Sequence, residues 1–93
     1  MNIVKCKVKP SHREEYFKVC DDMPKFDGQM SAKFVETSKN EFTMIGEWSS
    51  EDDIAKARPE MIKFLDKLRH TLEELSSELG VTDPSSGTVV IEK

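Results

Sequence analysis

Apolar and polar residues alternate one for one at the start of the chain. Val4, Cys6 and Val8 share one parity, and Lys5, Lys7 and Lys9 share the other. Period two over residues 3–9 predicts a strand with one buried face. Pro10 cannot continue a ladder, and Ser11 with Glu14 three residues on makes a capping-box pattern. A helix is expected from about Ser11 to Met23, with Tyr16, Phe17, Cys20 and Met23 on one face and Pro24 as its stop. Period two then returns. Residues 29–37 place Met30, Ala32 and Phe34 on one face, against Ser31, Lys33 and Val35. After a short Ser38-Lys39-Asn40 turn, Glu41 to Trp48 set Phe42, Met44, Gly46 and Trp48 against Thr43, Ile45 and Glu47.

The second half changes period. Ser49 or Ser50, followed by Glu51, Asp52 and Asp53, has the chemistry of a helix start: a hydroxyl cap, then acids at the positive end of the helix dipole. Pro59 is expected to break this helix and open another that runs to Leu79, with Gly80 at its end. Met61, Leu65, Leu68, Leu72, Leu75 and Leu79 form a heptad seam along it. Residues 83–87 read as a loop, and the β-branched run Thr88 to Ile91 as a last strand.

The resulting order is β-α-β-β-α-α-β: an α+β, ferredoxin-like domain with a four-stranded antiparallel sheet, occupying residues 1–93. One sheet face collects the apolar side chains and needs helical cover. The other mixes Ile3, Val35 and Ile45 with Lys5, Lys7, Lys33 and Glu47. That face suits burial against a second copy, so a homodimer is expected.

Composition narrows the partners. The net charge is −4 with both signs interspersed, which argues against a nucleic-acid surface or an anionic membrane. No apolar run approaches the ~18 residues of a membrane span, and no secretory leader pattern opens the chain, so a cytoplasmic location is expected. The spacing of Cys6 and Cys20 fits no zinc or redox motif, and both are expected to be reduced and buried.

At this level the chain resembles the antibiotic biosynthesis monooxygenases, a family of dimeric α+β barrels. The resemblance rests on the element order, Glu47-Trp48 at a strand end, the Ser-Ser-Glu-Asp-Asp helix start, and Ala55-Lys56-Ala57-Arg58-Pro59. The run from Leu79-Gly80-Val81-Thr82-Asp83-Pro84 to Val90 is also similar to the tail of some family members. The resemblance implies a cofactor-independent monooxygenase acting on a small aromatic, phenol- or quinol-type substrate. The haem-degrading branch pairs an Asn on the first strand with a Trp here and a His ten residues later. Trp48 matches that Trp, but Arg58 stands in the His position and Asn2 lies at the very start of the chain. No haem, other cofactor or metal is therefore expected.

Such chemistry asks the protein for positioning, desolvation and help with a proton. Trp48, Phe34, Phe42 and Met44 are the candidate wall of a cleft between sheet and helices, with space left beside Gly46. Arg58 would orient an acidic oxygen, and Tyr16 would donate through its hydroxyl. The same residues also read as ordinary core. His12 and His70 read as surface groups, and no residue is assigned as the base. Two other functions stay open: a non-catalytic small-molecule-binding dimer, and an interaction protein presenting the heptad helix 59–79.

Overall fold

The computed structural model describes residues 1–93. Strand β1 (Asn2–Lys7) leads through a 3₁₀ turn into helix α1 (Arg13–Asp21). Strands β2 (Gln29–Ser38) and β3 (Glu41–Trp48) form a hairpin, followed by helix α2 (Glu51–Leu68) and strand β4 (Asp83–Ser86). All pairings are antiparallel and the spatial order is β2-β3-β1-β4. This is the expected ferredoxin-like α+β arrangement, with both helices on one face of the sheet.

Register aligns the apolar parities. Val4 lies opposite Met44, Cys6 opposite Phe42, and Phe34 opposite Met44 on its other side. Ile3, Ile45, Lys33, Lys5 and Thr43 fall on the opposite face. No helix of this chain covers that face, and Val35 on it is 40% exposed. The hairpin turns at Asn40, whose φ of 63° is a left-handed conformation that Asn tolerates better than most residues.

Five local expectations are corrected. First, Pro59 lies inside α2 rather than between two helices. Proline removes the hydrogen bond to the carbonyl four residues back and crowds that carbonyl with its ring, a local cost that packing offsets. The apolar stripe Ile54, Ala57, Met61, Phe64, Leu65 and Leu68 runs straight across it, so packing holds one continuous helix together.

Second, the helix ends at Leu68 instead of Leu79. Thr71 turns its hydroxyl back to the Leu68 carbonyl at 2.6 Å, and Leu72 goes extended to bridge Val8. Backbone bonds from Lys9 N to Thr71 O and from Glu73 N to Lys7 O, both 2.8 Å, fasten this segment to the end of β1. Tertiary pairing therefore overrides the heptad pattern. Leu75 and Leu79 are left 37% and 46% exposed, and no heptad helix 59–79 exists to serve a partner.

Third, the last strand is Asp83–Ser86, beside β1, and the β-branched run beyond it is unpaired and exposed. Fourth, register shifts between Gln29 and Ser31, where Met30 bulges out and is 65% exposed. Gln29, not Met30, therefore faces inward opposite Trp48. Fifth, the capping box at α1 does not form: Ser11 bonds His12, and the α-helix starts at Arg13. The Ser50 cap of α2 does form, accepting from Asp53 N at 3.2 Å.

Candidate functional site

Between the helix-covered face of the sheet and α1–α2 lies a cavity of about 280 Å³. Val4, Cys6, Phe34 and Met44 form its floor, and Met61, Phe64, Leu65 and Leu68 of α2 its roof. The wall is almost wholly apolar, the usual chemistry of a small-molecule pocket. Its volume is near the lower end for such sites. At interior packing density it would hold about 200 Å³ of ligand atoms, roughly the size of a few fused rings at most.

Of the residues expected to form a site, Phe34, Met44, Tyr16 and Arg58 line this cavity. Phe42 and Trp48 do not. Phe42 is 3% exposed and packs against Tyr16, with ring centroids 5.0 Å apart, and against Phe17 at 5.5 Å. It belongs to the core cluster at the α1 end of the cavity. Trp48 sits in the second cluster, stacked on Phe26 at 6.3 Å and 18°. Since Phe26 lines the cavity, the indole lies one layer behind its wall.

The indole N–H of Trp48 donates to Asn2 Oδ1 at 2.7 Å. Asn2 was expected to lie too near the start of the chain to matter. Pairing of Asn2 with Gly46 across β1 and β3 instead brings it to the tryptophan. The space expected beside Gly46 is taken up here. A Cβ on Gly46 would meet Asn2 Oδ1 at 2.3 Å, Trp48 Nε1 at 2.9 Å and Gln29 Nε2 at 3.2 Å. Glycine is therefore required for three polar side chains to meet over the sheet.

Three polar groups at or near the other end are held neutral. Burial pushes the Tyr16 hydroxyl far above its ordinary range, with the neighbouring Cys6 and Cys20 adding to the effect. Burial also raises the Cys20 thiol to about 12 and raises Cys6, although the bond to Tyr16 opposes it in both. The Cys6 sulfur lies 3.7 Å from the Tyr16 oxygen. Both thiols are free; Cys20 is buried as expected, while Cys6 is only half-buried. None of these groups is a base or nucleophile at neutral pH. Arg58 sits at the exposed margin of the cavity and has no ion-pair partner.

Two groups outside the expected site matter. Gln29 lines the cavity and is only 7% exposed. It was missed because strict alternation puts Met30 inside, and the bulge reverses that parity. The only sequence signal is a polar residue directly after Gly28, whose φ of 82° sets the entry into β2. The distance of Asn2 from Trp48 along the chain hides their cross-strand contact from the sequence. Elsewhere, no cluster of His, Cys, Asp or Glu is able to hold a metal ion. No helix is long and apolar enough to cross a membrane.

Comparison of the sequence with known family models gives no match, and comparison with curated proteins gives none either. Comparison of the fold does give matches. SnoaB, a cofactor-independent oxygenase from Streptomyces nogalater, is 14% identical with a TM-score of 0.69, covering 98% of this chain and 92% of its own. A candidate antibiotic biosynthesis monooxygenase from Nitrosomonas europaea is also 14% identical, with a TM-score of 0.66 and coverage of 95% and 97%. A nipsnap family protein of unknown function from Agrobacterium tumefaciens is 25% identical, with a TM-score of 0.57 and coverage of 90% and 81%. The chain thus has the α+β fold found in antibiotic biosynthesis monooxygenases, as its sequence resemblance implies.

Proposed function

We propose that this chain binds a small aromatic molecule of phenol or quinol type in the sheet–helix cavity and promotes its oxygenation without a cofactor. The observation that carries the reading is the apolar cavity itself, closed on the sheet side by Phe34 and Met44 and flanked by Arg58. The likeness to SnoaB, a cofactor-independent oxygenase, supports the class of reaction. For a phenol the balance is simple. The ring loses its hydroxyl proton and one ring hydrogen, one oxygen atom of O₂ becomes the new quinone carbonyl, and the other leaves as water. The substrate supplies all the electrons.

The neutral thiols and Tyr16 supply no base, so the proton leaves from the ring hydroxyl toward solvent. The Arg58 guanidinium favours the phenolate at the cavity margin, and the apolar wall holds the ring while excluding bulk water. The unit is proposed to be a homodimer joined through the open sheet face, with Ile3, Val35 and Ile45 at its centre. Sedimentation should give a dimer at micromolar concentration, burying more than ~1,500 Å². A monomer removes this part of the reading.

The test of function is oxygen uptake with a panel of naphthols, naphthoquinols and anthrones, alongside binding followed by Trp48 fluorescence. The expected result is one O₂ consumed per quinone formed, with Arg58→Leu lowering the rate most at the acidic end of the pH profile. Binding without uptake would make the protein a non-catalytic carrier. Absence of both across the panel overturns the proposal.

A further inference from the structure

The three polar side chains over Gly46 do not share their hydrogen bonds evenly. Trp48 has one N–H, and Asn2 Oδ1 accepts it at 2.7 Å. The Asn2 amide nitrogen faces only the Met61 sulfur, at 4.0 Å. Gln29 is left with neither. The residue is 7% exposed, lines the cavity, and makes no side-chain hydrogen bond to the protein. No side-chain nitrogen or oxygen of the chain is both buried and unpaired, so the Gln29 amide reaches the solvent that enters the cavity. A ligand that displaces that solvent without replacing its hydrogen bonds leaves the amide unpaired, and one that replaces them does not.

We infer that Gln29 is the specificity-determining residue of the cavity, selecting a flat aromatic ligand that carries a hydroxyl. This rests on the reading of the cavity as the ligand site. A primary amide presents two N–H donors and one carbonyl acceptor. A hydroxyl matches both functions at once, by accepting from Nε2 and donating to Oε1. An ether or ring carbonyl uses only the donor side, and a plain hydrocarbon uses neither. In the empty cavity water fills this role, and a ligand hydroxyl replaces the water's hydrogen bonds as it displaces it. The apolar remainder of the wall supplies affinity but cannot tell these ligands apart.

The size limit makes naphthalene derivatives suitable probes. The wild-type protein should bind 1-naphthol about tenfold or more tighter than naphthalene, with 1-methoxynaphthalene between them, the worth of one well-made buried hydrogen bond. Gln29→Met keeps length and removes the amide. It should weaken naphthol, leave naphthalene unchanged or tighter, and so collapse the ratio toward one. Gln29→Asn, which withdraws the amide by one methylene, should also lose the preference and serves if the Met variant does not fold. Equal wild-type affinity for naphthol and naphthalene overturns the inference while leaving the cavity intact as a site. A hydroxyl preference that survives both substitutions overturns it too, and moves the recognition to another group. Failure of all three probes to bind wild-type protein removes the cavity reading itself, and this inference with it.

Discussion

The cavity is bounded by two core clusters of different character. At the α1 end, Val8, Tyr16, Cys20, Phe42, Leu68 and Leu72 pack into a cluster held by shape. Outside it, Arg13 lies over the Phe17 and Phe42 rings, at 4.8 and 5.5 Å, and pairs through both terminal nitrogens with Glu36. At the other end, Phe26, Trp48, Ile54 and Ala57 form a smaller cluster set against the buried amides of Asn2 and Gln29. The first end has apolar bulk and its polar groups are satisfied or neutral. The second gives up apolar bulk for a polar trio in which one member, Gln29, makes no side-chain bond to the protein and keeps its amide open to solvent. Apolar bulk and open hydrogen-bonding capacity thus lie at opposite ends of one small core.

The largest expected effect is at the first end. Phe42→Ala removes a ring that is 3% exposed and should destabilise the fold by about 3–5 kcal/mol, measured by urea unfolding. A loss below about 1 kcal/mol would mean this end does not carry the stability assigned to it. A smaller loss, about 1–3 kcal/mol, is expected for Gly46→Ala, because the new methyl collides with Asn2 Oδ1 and Trp48 Nε1. Its signature is a change in Trp48 emission with little change at the far end. An unaltered emission spectrum would dissolve the polar trio as a unit.

The smallest effect concerns Glu36, held down to about 2 by its hydrogen bond from Arg13 and then by the Asn40 amide. The sign follows from linkage: a depressed folded pKa gives stability that is complete above the ordinary value of 4.5 and is lost as pH falls toward about 2. The pair faces solvent, so the contribution is modest. Glu36→Gln should flatten the stability profile between those limits. An unchanged slope there would assign the acid sensitivity to other carboxylates.

The first three strands were legible because a half-buried strand writes its period directly into the chain; the short edge strand Asp83–Ser86 has no such pattern and was not. Val4-Cys6-Val8 and Phe42-Met44-Gly46-Trp48 each declare a face, and the register then aligns them. The end of α2 was not legible, since the leucines after Leu68 keep the spacing of a helix while the backbone of Thr71 and Glu73 is claimed by β1. That competition is between local periodicity and a distant partner, and only the second is invisible in sequence. Within the site, Phe34, Met44, Tyr16 and Arg58 could be placed from parity and element boundaries. Gln29 could not, because one bulged residue exchanges inside for outside. Trp48 was expected in the cleft wall, yet its N–H bonds Asn2 and its ring stacks on Phe26, one layer behind that wall.

The cavity also fixes how this molecule responds to compression. The part of this roughly 280 Å³ of apolar space that water does not fill adds to the molar volume of the native state relative to its unfolded chain. Hydrostatic pressure should therefore unfold it at ambient temperature more readily than a solidly packed domain of the same length. Any occupant of the cavity fills that volume, and should raise the midpoint pressure even where it alters the thermal midpoint very little.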